Sequence, residues 1–346
     1  MELKTKYQYT YFIYPYVVKE SKYTKYLLRL LKDKNCKLRM FKKDKDLDLY
    51  NYFSHRIRNY MFNSFNLTRS KLAKLEELPL ETKAAILAKN GCTMFEYRMK
   101  KDIQGKTEEK NGIFFKIPKI EIICFNTGIC FLCIKTNIED SEKFTDLLNF
   151  NYKFRDINQE FPNLNNYDNI RVQSDCFSDV KYFKEFIQSL TGTNVESMKL
   201  DIDTERFLTY SYVCIDQESW NNNNEFEKIR ESYIKFLNIL PSDNSVNYSK
   251  ENMKTISEWK YAKLGVTKQG VTLFSSSADL NNYTILAEQF QKQYLYTYIL
   301  AMYIKIYLKK INLEFKQGTK IKSTRKEFIK FTQNIWINEV TSEDTV

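Results

Sequence analysis

The chain reads as an α+β protein: a mixed or antiparallel sheet with flanking helices, followed by long C-terminal helices. Three features carry this expectation. Strand-like runs, alternating or continuously apolar, recur through the first 280 positions. Helical periodicities are mixed among them. From Tyr283 onward helical spacing takes over. Residues 1–280 are therefore expected to form an α+β domain and residues 281–346 a helical segment.

The elements follow in order. Tyr7–Val18 alternates aromatic and polar residues and predicts a strand. Ser21–Leu31 places Tyr23, Tyr26, Leu27, Leu30 and Leu31 at helical spacing, with Ser21 as the expected cap. Leu78–Leu87 predicts a short helix closed near Asn90-Gly91, and charged Lys100–Asn111 an exposed loop. Ile120–Phe125 and Ile129–Lys135 are almost wholly apolar around Asn126-Thr127-Gly128. That pattern predicts a β-hairpin with both arms central in a sheet. Helices are expected at Ser141–Asn151, Val180–Leu190 and Phe226–Leu237, a polar loop at Asn158–Asn169, and a strand at Arg206–Ile215. A second hairpin turns around Thr267–Gly270. Tyr283–Phe315 reads as one long helix, broken at Lys316–Lys322 before another at Thr324–Ile337.

Composition narrows the function. The net charge is +11, which invites a nucleic-acid or anionic-membrane partner. Yet only 11 of the 54 basic residues are Arg, and the abundant Lys accompanies Asn, Ile, Tyr and Phe, a set that AT-rich coding favours. The seven cysteines are scattered, odd in number and without a signal peptide, which predicts free thiols of the core in a reducing compartment. Cys130 and Cys133 have C-x2-C spacing but no second pair, and a zinc site needs about four ligands. No apolar run reaches the roughly 18 residues of a membrane span.

Catalytic equipment is sparse. The single histidine, His55, stands between Ser54 and Arg56 with Arg58 close by, poorly placed as a neutral base. No phosphate-cradling glycine loop occurs. Glu121 with Lys135 faintly resembles a restriction-type nuclease core, but no acid-x-Lys element follows. The expectation is a binding or sensing module, not an enzyme, with no catalytic residue, metal or cofactor assigned. Its best polar cluster ends the Ser141–Asn151 helix. There Lys153 and Arg155 suit phosphate, Tyr152 suits stacking, and Asn149 and Asp156 suit the polar edges of a base. Tyr210 and Tyr212, sharing one face of the Phe207–Ile215 strand, are candidate stacking rings or core residues. Tyr296, Leu300, Tyr303 and Tyr307 form a helical stripe suited to packing or a subunit interface.

Five segments taken together resemble a known family. Phe125–Leu132, Asp146–Ile157, Phe207–Tyr212, Gln293–Leu300 and Phe331–Thr341 are similar to the soluble N-terminal region of CorA-like membrane proteins, in particular those associated with type III CRISPR antiviral systems. The resemblance implies a cytoplasmic sensing domain, usually in a homopentamer, that answers a nucleotide second messenger such as a cyclic oligoadenylate or SAM-AMP. It implies a channel or other membrane effector as output. The family's Gly-Met-Asn pore motif and membrane helices are absent from these residues, so membrane attachment would come through a segment outside this chain. The alternative, resting on the +11 charge, is a basic nucleic-acid-binding protein of a defence or mobile-element system.

Overall fold

The structure, a computed structural model, describes residues 3–107, 112–155, 170–174, 179–192, 207–216, 223–245, 254–257, 259–318, 321–334 and 340–341. In chain order the strands are β1 (Thr5–Val17), β2 (Cys36–Leu38), β3 (Cys92–Tyr97), β4 (Ile103–Lys106), β5 (Phe114–Phe125), β6 (Ile129–Ile138), β7 (Arg171–Gln173), β8 (Lys181–Tyr182), β9 (Leu208–Ile215), β10 (Lys254–Ile256), β11 (Ala262–Val266) and β12 (Gly270–Ser276). The helices are α1 (Tyr23–Lys32), α2 (Leu47–Tyr52), α3 (His55–Met61), α4 (Arg69–Glu77), α5 (Leu80–Leu87), α6 (Phe144–Phe154), α7 (Phe183–Thr191), α8 (Asn223–Asn238), α9 (Leu280–Tyr283), α10 (Ile285–Gln289), α11 (Leu295–Gln317) and α12 (Ile321–Asn334). A π-helical turn, Phe290–Tyr294, joins α10 to α11.

The strands form one mixed sheet in the order β10-β11-β12-β9-β1-β6-β5-β4-β7-β8, with β3 also paired to β5 and β2 to β3. β12 runs parallel to β9, and the other pairs are antiparallel. The α+β expectation with flanking helices therefore holds. The apolar hairpin is central, as its composition requires: Ile120 and Ile122 through Phe125, and Ile129 through Ile134, are each no more than 1% exposed. Gly128 turns it with φ 82°, and an added Cβ would meet the Val18 carbonyl oxygen at 2.2 Å, so only glycine fits.

Successive β1 side chains enter different cores. Tyr9, Tyr11 and Ile13 join a cluster with Phe131, Tyr210, Tyr212 and the inner face of α11. Phe12 and Tyr16 face the opposite layer, built from α1, α5, α6 and α7. The predicted stripe of α11 is a packing stripe: Tyr296, Leu300, Tyr303 and Tyr307 are buried, and Tyr303 stacks on Phe125 at 3.8 Å and 6°. Residues 281–317 thus complete the core of the sheet that precedes them.

Several expectations change in detail. Ser21 does not cap α1: it lies in a 3₁₀ turn, Glu20–Lys22, and the helix starts without a side-chain cap. The expected loop at Lys100–Asn111 contains β4, whose Ile103–Lys106 pairs with Ile117–Phe114 of β5. The expected single helix from Tyr283 is interrupted by the π-turn. The Asn158–Asn169 loop lies outside the described residues. The six described cysteines are free and buried. Cys130 and Cys133 point to opposite faces of β6, as an odd spacing in a strand dictates, so they do not form a ligand pair.

A polar knot fastens α6 to the sheet. Thr10 Oγ donates to Asn151 Oδ1 at 2.9 Å, Asn151 Nδ2 donates to Ser211 Oγ at 3.1 Å, and the Thr10 and Ser211 hydroxyls lie 2.7 Å apart. None of the three residues is more than 1% exposed. Removing the amide strips a partner from two buried hydroxyls, which typically costs about 1–3 kcal/mol. Asn151→Ala is expected to destabilise the fold by about 2 kcal/mol, read as a lower urea midpoint at unchanged m-value.

Candidate ligand-binding cavity

The aromatic cavity forms where the sheet edge meets the π-turn. β9 supplies Tyr210; the β11–β12 hairpin supplies Leu264, Val266 and Val271; Trp259 lies just before β11; and Tyr52 comes from the end of α2. The opposite wall is Gln289, Phe290, Gln293 and Tyr294, continued by Thr297, Tyr298 and Ala301 of α11. The space is about 570 Å³ and opens to the surface, within the usual range of roughly 300–1,000 Å³ for ligand pockets. Among the described residues no charged side chain lines it.

Its floor is fixed by polar contacts. The Tyr210 hydroxyl donates to the Phe290 carbonyl at 2.6 Å, and its ring stacks on Phe290 at 4.1 Å and 15°. Tyr298 stacks against the same ring at 5.6 Å and 29°. Tyr294 lies 6.1 Å from Trp259 and 6.0 Å from Tyr52. Burial raises the pKa of Tyr210 and of Tyr298, so both phenols stay neutral donors at physiological pH. The cavity thus offers flat faces and neutral polar groups: Gln289, Gln293, Thr297 and Thr341.

The residues singled out in the sequence fall into two groups. Asn149, Tyr152, Lys153 and Arg155 come together at the C-terminal end of α6. Asn149 accepts from the Ser242 N–H at 2.9 Å, and the Arg155 guanidinium lies 5.1 Å from the Tyr152 ring centroid. Arg155 is 4% exposed, donates to Gln269 Oε1 at 3.4 Å, and its carbonyl takes the Phe207 N–H at 2.6 Å. Asp156 lies outside the described residues. Tyr210 and Tyr212 do share one face, but it is the face away from α6. Tyr212 is fully buried, stacked on Tyr9 at 5.3 Å and bonded to the Ser275 hydroxyl at 3.0 Å. Only Tyr210 reaches the cavity. Trp259, Tyr294 and Tyr298 complete the cavity without a motif of their own. For Tyr294 and Tyr298 the signal is a second stripe, Tyr294, Thr297, Tyr298 and Ala301, running from the π-turn into α11 beside the packing stripe.

Other candidate chemistry resolves into structure. Glu121 is 3% exposed, lies 3.0 Å from Lys119 and accepts from the Tyr296 hydroxyl at 2.9 Å. Lys135 turns elsewhere, donating to Gln291 Oε1 at 2.8 Å with its ammonium 4.6 Å from the Tyr9 ring centroid. His55 opens α3 as an exposed residue, its Nδ1 3.3 Å from the Asn59 amide. Among the described residues no three His, Cys, Asp or Glu side chains converge as metal ligands, and no helix is long and apolar enough to cross a membrane. No family model, curated protein or solved structure matches the chain.

Lys135 yields a pH prediction. Burial, reinforced by Lys119 and opposed by Glu121, lowers its pKa from 10.5 to about 8. Between those values the unfolded chain holds the proton that the folded chain has released, so stability rises with pH. Buried tyrosines reverse the trend above about pH 10, where unfolded phenols ionise. Wild type is expected to gain more stability between about pH 8 and pH 10 than Lys135→Met. Equal gains in paired urea titrations would remove Lys135 as the source.

Proposed function

We propose that this chain is a binding module for a planar aromatic small molecule bearing an anionic group, with a nucleotide the class that fits best. The observation that carries the reading is the aromatic-walled cavity at Tyr210, Trp259, Tyr294 and Tyr298, whose described lining carries no charge. Its neutral amides and hydroxyls can meet the polar edge of a base, and its rings can take the faces. Cations stand at its margin. Lys268 is two residues past Val266, and Lys305 is one helical turn past Ala301, both exposed. Burial and then the nearby charges of Lys309 and Lys268 lower the Lys305 pKa, the mark of several cations gathered at one place. Phosphate would lie there, outside the neutral pocket.

The resemblance to CorA-like effectors narrows the proposed ligand to a nucleotide second messenger such as SAM-AMP or a cyclic oligoadenylate, and the proposed setting to antiviral defence. The mechanism would be conformational: a ligand that prefers one arrangement of the π-turn shifts its population, and no bond is made or broken. The Asn149–Arg155 cluster lies across the sheet and is left out of this pocket.

Calorimetry with adenosine, AMP, SAM-AMP and cyclic tetra-adenylate tests the reading. Trp259→Ala or Tyr298→Ala should weaken binding roughly tenfold, the loss of one stacked ring. Replacing both Lys268 and Lys305 by Gln should weaken AMP more than adenosine, and Arg155→Ala should leave both unchanged. Absence of heat with every nucleotide would sink the reading, and binding lost in Arg155→Ala would move the site to α6.

A further inference from the structure

The C-terminal helices carry a second surface feature, independent of the cavity. α12 packs on the body through Phe331, which stacks on Tyr307 at 4.6 Å and 28°; the Thr324 hydroxyl lies 3.5 Å from Glu314, and the Gln333 carbonyl accepts from the Arg56 guanidinium of α3. From Ile321 to Lys330 every residue except Thr324 is exposed. Among them are large apolar side chains: Ile321 at 54%, Phe328 at 38% and Ile329 at 44%; Leu313 and Phe315, near the end of α11, add 48% and 37%.

Helical geometry orders these residues. At about 100° per residue, Ile321, Phe328 and Ile329 fall within one sector roughly 100° wide, together with Arg325. Lys322, Lys326 and Lys330, four apart, form the adjoining row. Glu327 is the acid among Ile321–Lys330. An apolar stripe bordered by a lysine row is the pattern of a helix lying in a membrane interface, where the stripe enters the acyl boundary and the long amines reach anionic headgroups.

Two rival occupants fit less well. A second copy docked antiparallel through the same face by a two-fold axis would set one lysine row close to the other, so like charges would oppose that contact. A nucleic-acid backbone would use the lysines but gain nothing from exposed Ile321, Phe328 and Ile329.

We propose that α12 is a peripheral docking face for an anionic lipid bilayer. The whole chain should co-sediment with phosphatidylcholine vesicles containing phosphatidylglycerol and only weakly with phosphatidylcholine alone, and binding should fall with added salt. The double substitution Phe328→Ser with Ile329→Ser should cut binding to anionic vesicles at least about tenfold while leaving the thermal midpoint unchanged, because both side chains are exposed. Exchanging Lys322, Lys326 and Lys330 for Gln should cut it by about fivefold per lysine. Failure to sediment with anionic vesicles, or indifference to the Phe328 and Ile329 pair, overturns the proposal. So does RNA binding lost only in the lysine variant, which assigns the face to nucleic acid. A dimer in sedimentation velocity that Phe328→Ser dissolves overturns it in favour of a second copy.

Discussion

The described structure is organised by the burial of β1 on both of its faces. The strand pairs with β6 on one side and β9 on the other, and Tyr9 through Ile13 are each no more than 1% exposed. Two-sided burial leaves no tolerance for a register slip, because every side chain would move to the wrong core. It also means that each polar atom on β1 must find a partner in the helical layer above it. Tyr9 donates to the Ala287 carbonyl at 2.7 Å on one side, and Thr10 bonds to Asn151 on the other. These contacts join the two helical layers to fixed points of the same strand.

The π-turn follows from the same constraint. Leu286 and Phe290 face the sheet four residues apart, as in an α-helix, and Leu295, Ile299 and Tyr303 continue that spacing afterwards. Between Phe290 and Leu295 the interval is five, and the π-turn absorbs the extra residue. Without it the inward face of α11 would rotate by about 100° relative to α10, and Tyr296 would leave Glu121. The hydroxyls of Tyr9 and Tyr210 meet the Ala287 and Phe290 carbonyls at this point. The turn that restores packing also brings Tyr294 and Tyr298 round to the cavity.

Much of the fold was legible where one residue's pattern decides its environment. The continuous apolar arms of β5 and β6 require two-sided burial, and Gly128 marks their turn. β4 was not legible: Ile103-Gln-Gly-Lys has one large apolar residue, and its strand conformation comes from pairing with Phe114–Ile117 of β5. The same limit governs the site. Alternation places Tyr210 and Tyr212 on one face correctly, but which helices cover that face depends on contacts far apart in sequence, such as Tyr210 with Phe290. Residue chemistry grouped Tyr210 with the end of α6, whereas its ring packs toward α11 and the α6 side chains Phe150 and Phe154 pack on the opposite layer. Tyr294 and Tyr298 stand beside a stronger packing stripe, and the five-residue step that sets their direction is a small departure within a long helical pattern.

α11 links the two surfaces proposed for recognition. Its first turns carry Thr297, Tyr298 and Ala301 of the cavity, and its last carry Leu313 and Phe315 beside α12. Leu295 and Leu313 are 18 positions apart, or about 27 Å along a regular helix. Between them Tyr303 is stacked on Phe125, and its hydroxyl meets that of Tyr60 at 2.9 Å. A helix pinned at its middle and entered through a π-turn has its least regular hydrogen bonding at the cavity end. A ligand in the proposed site would bear directly on the segment whose geometry fixes how α11 lies on the sheet. α12 meets α11 through Phe331 on Tyr307 and Thr324 near Glu314, and meets α3 through the Arg56 guanidinium on the Gln333 carbonyl, so its position depends on both helices.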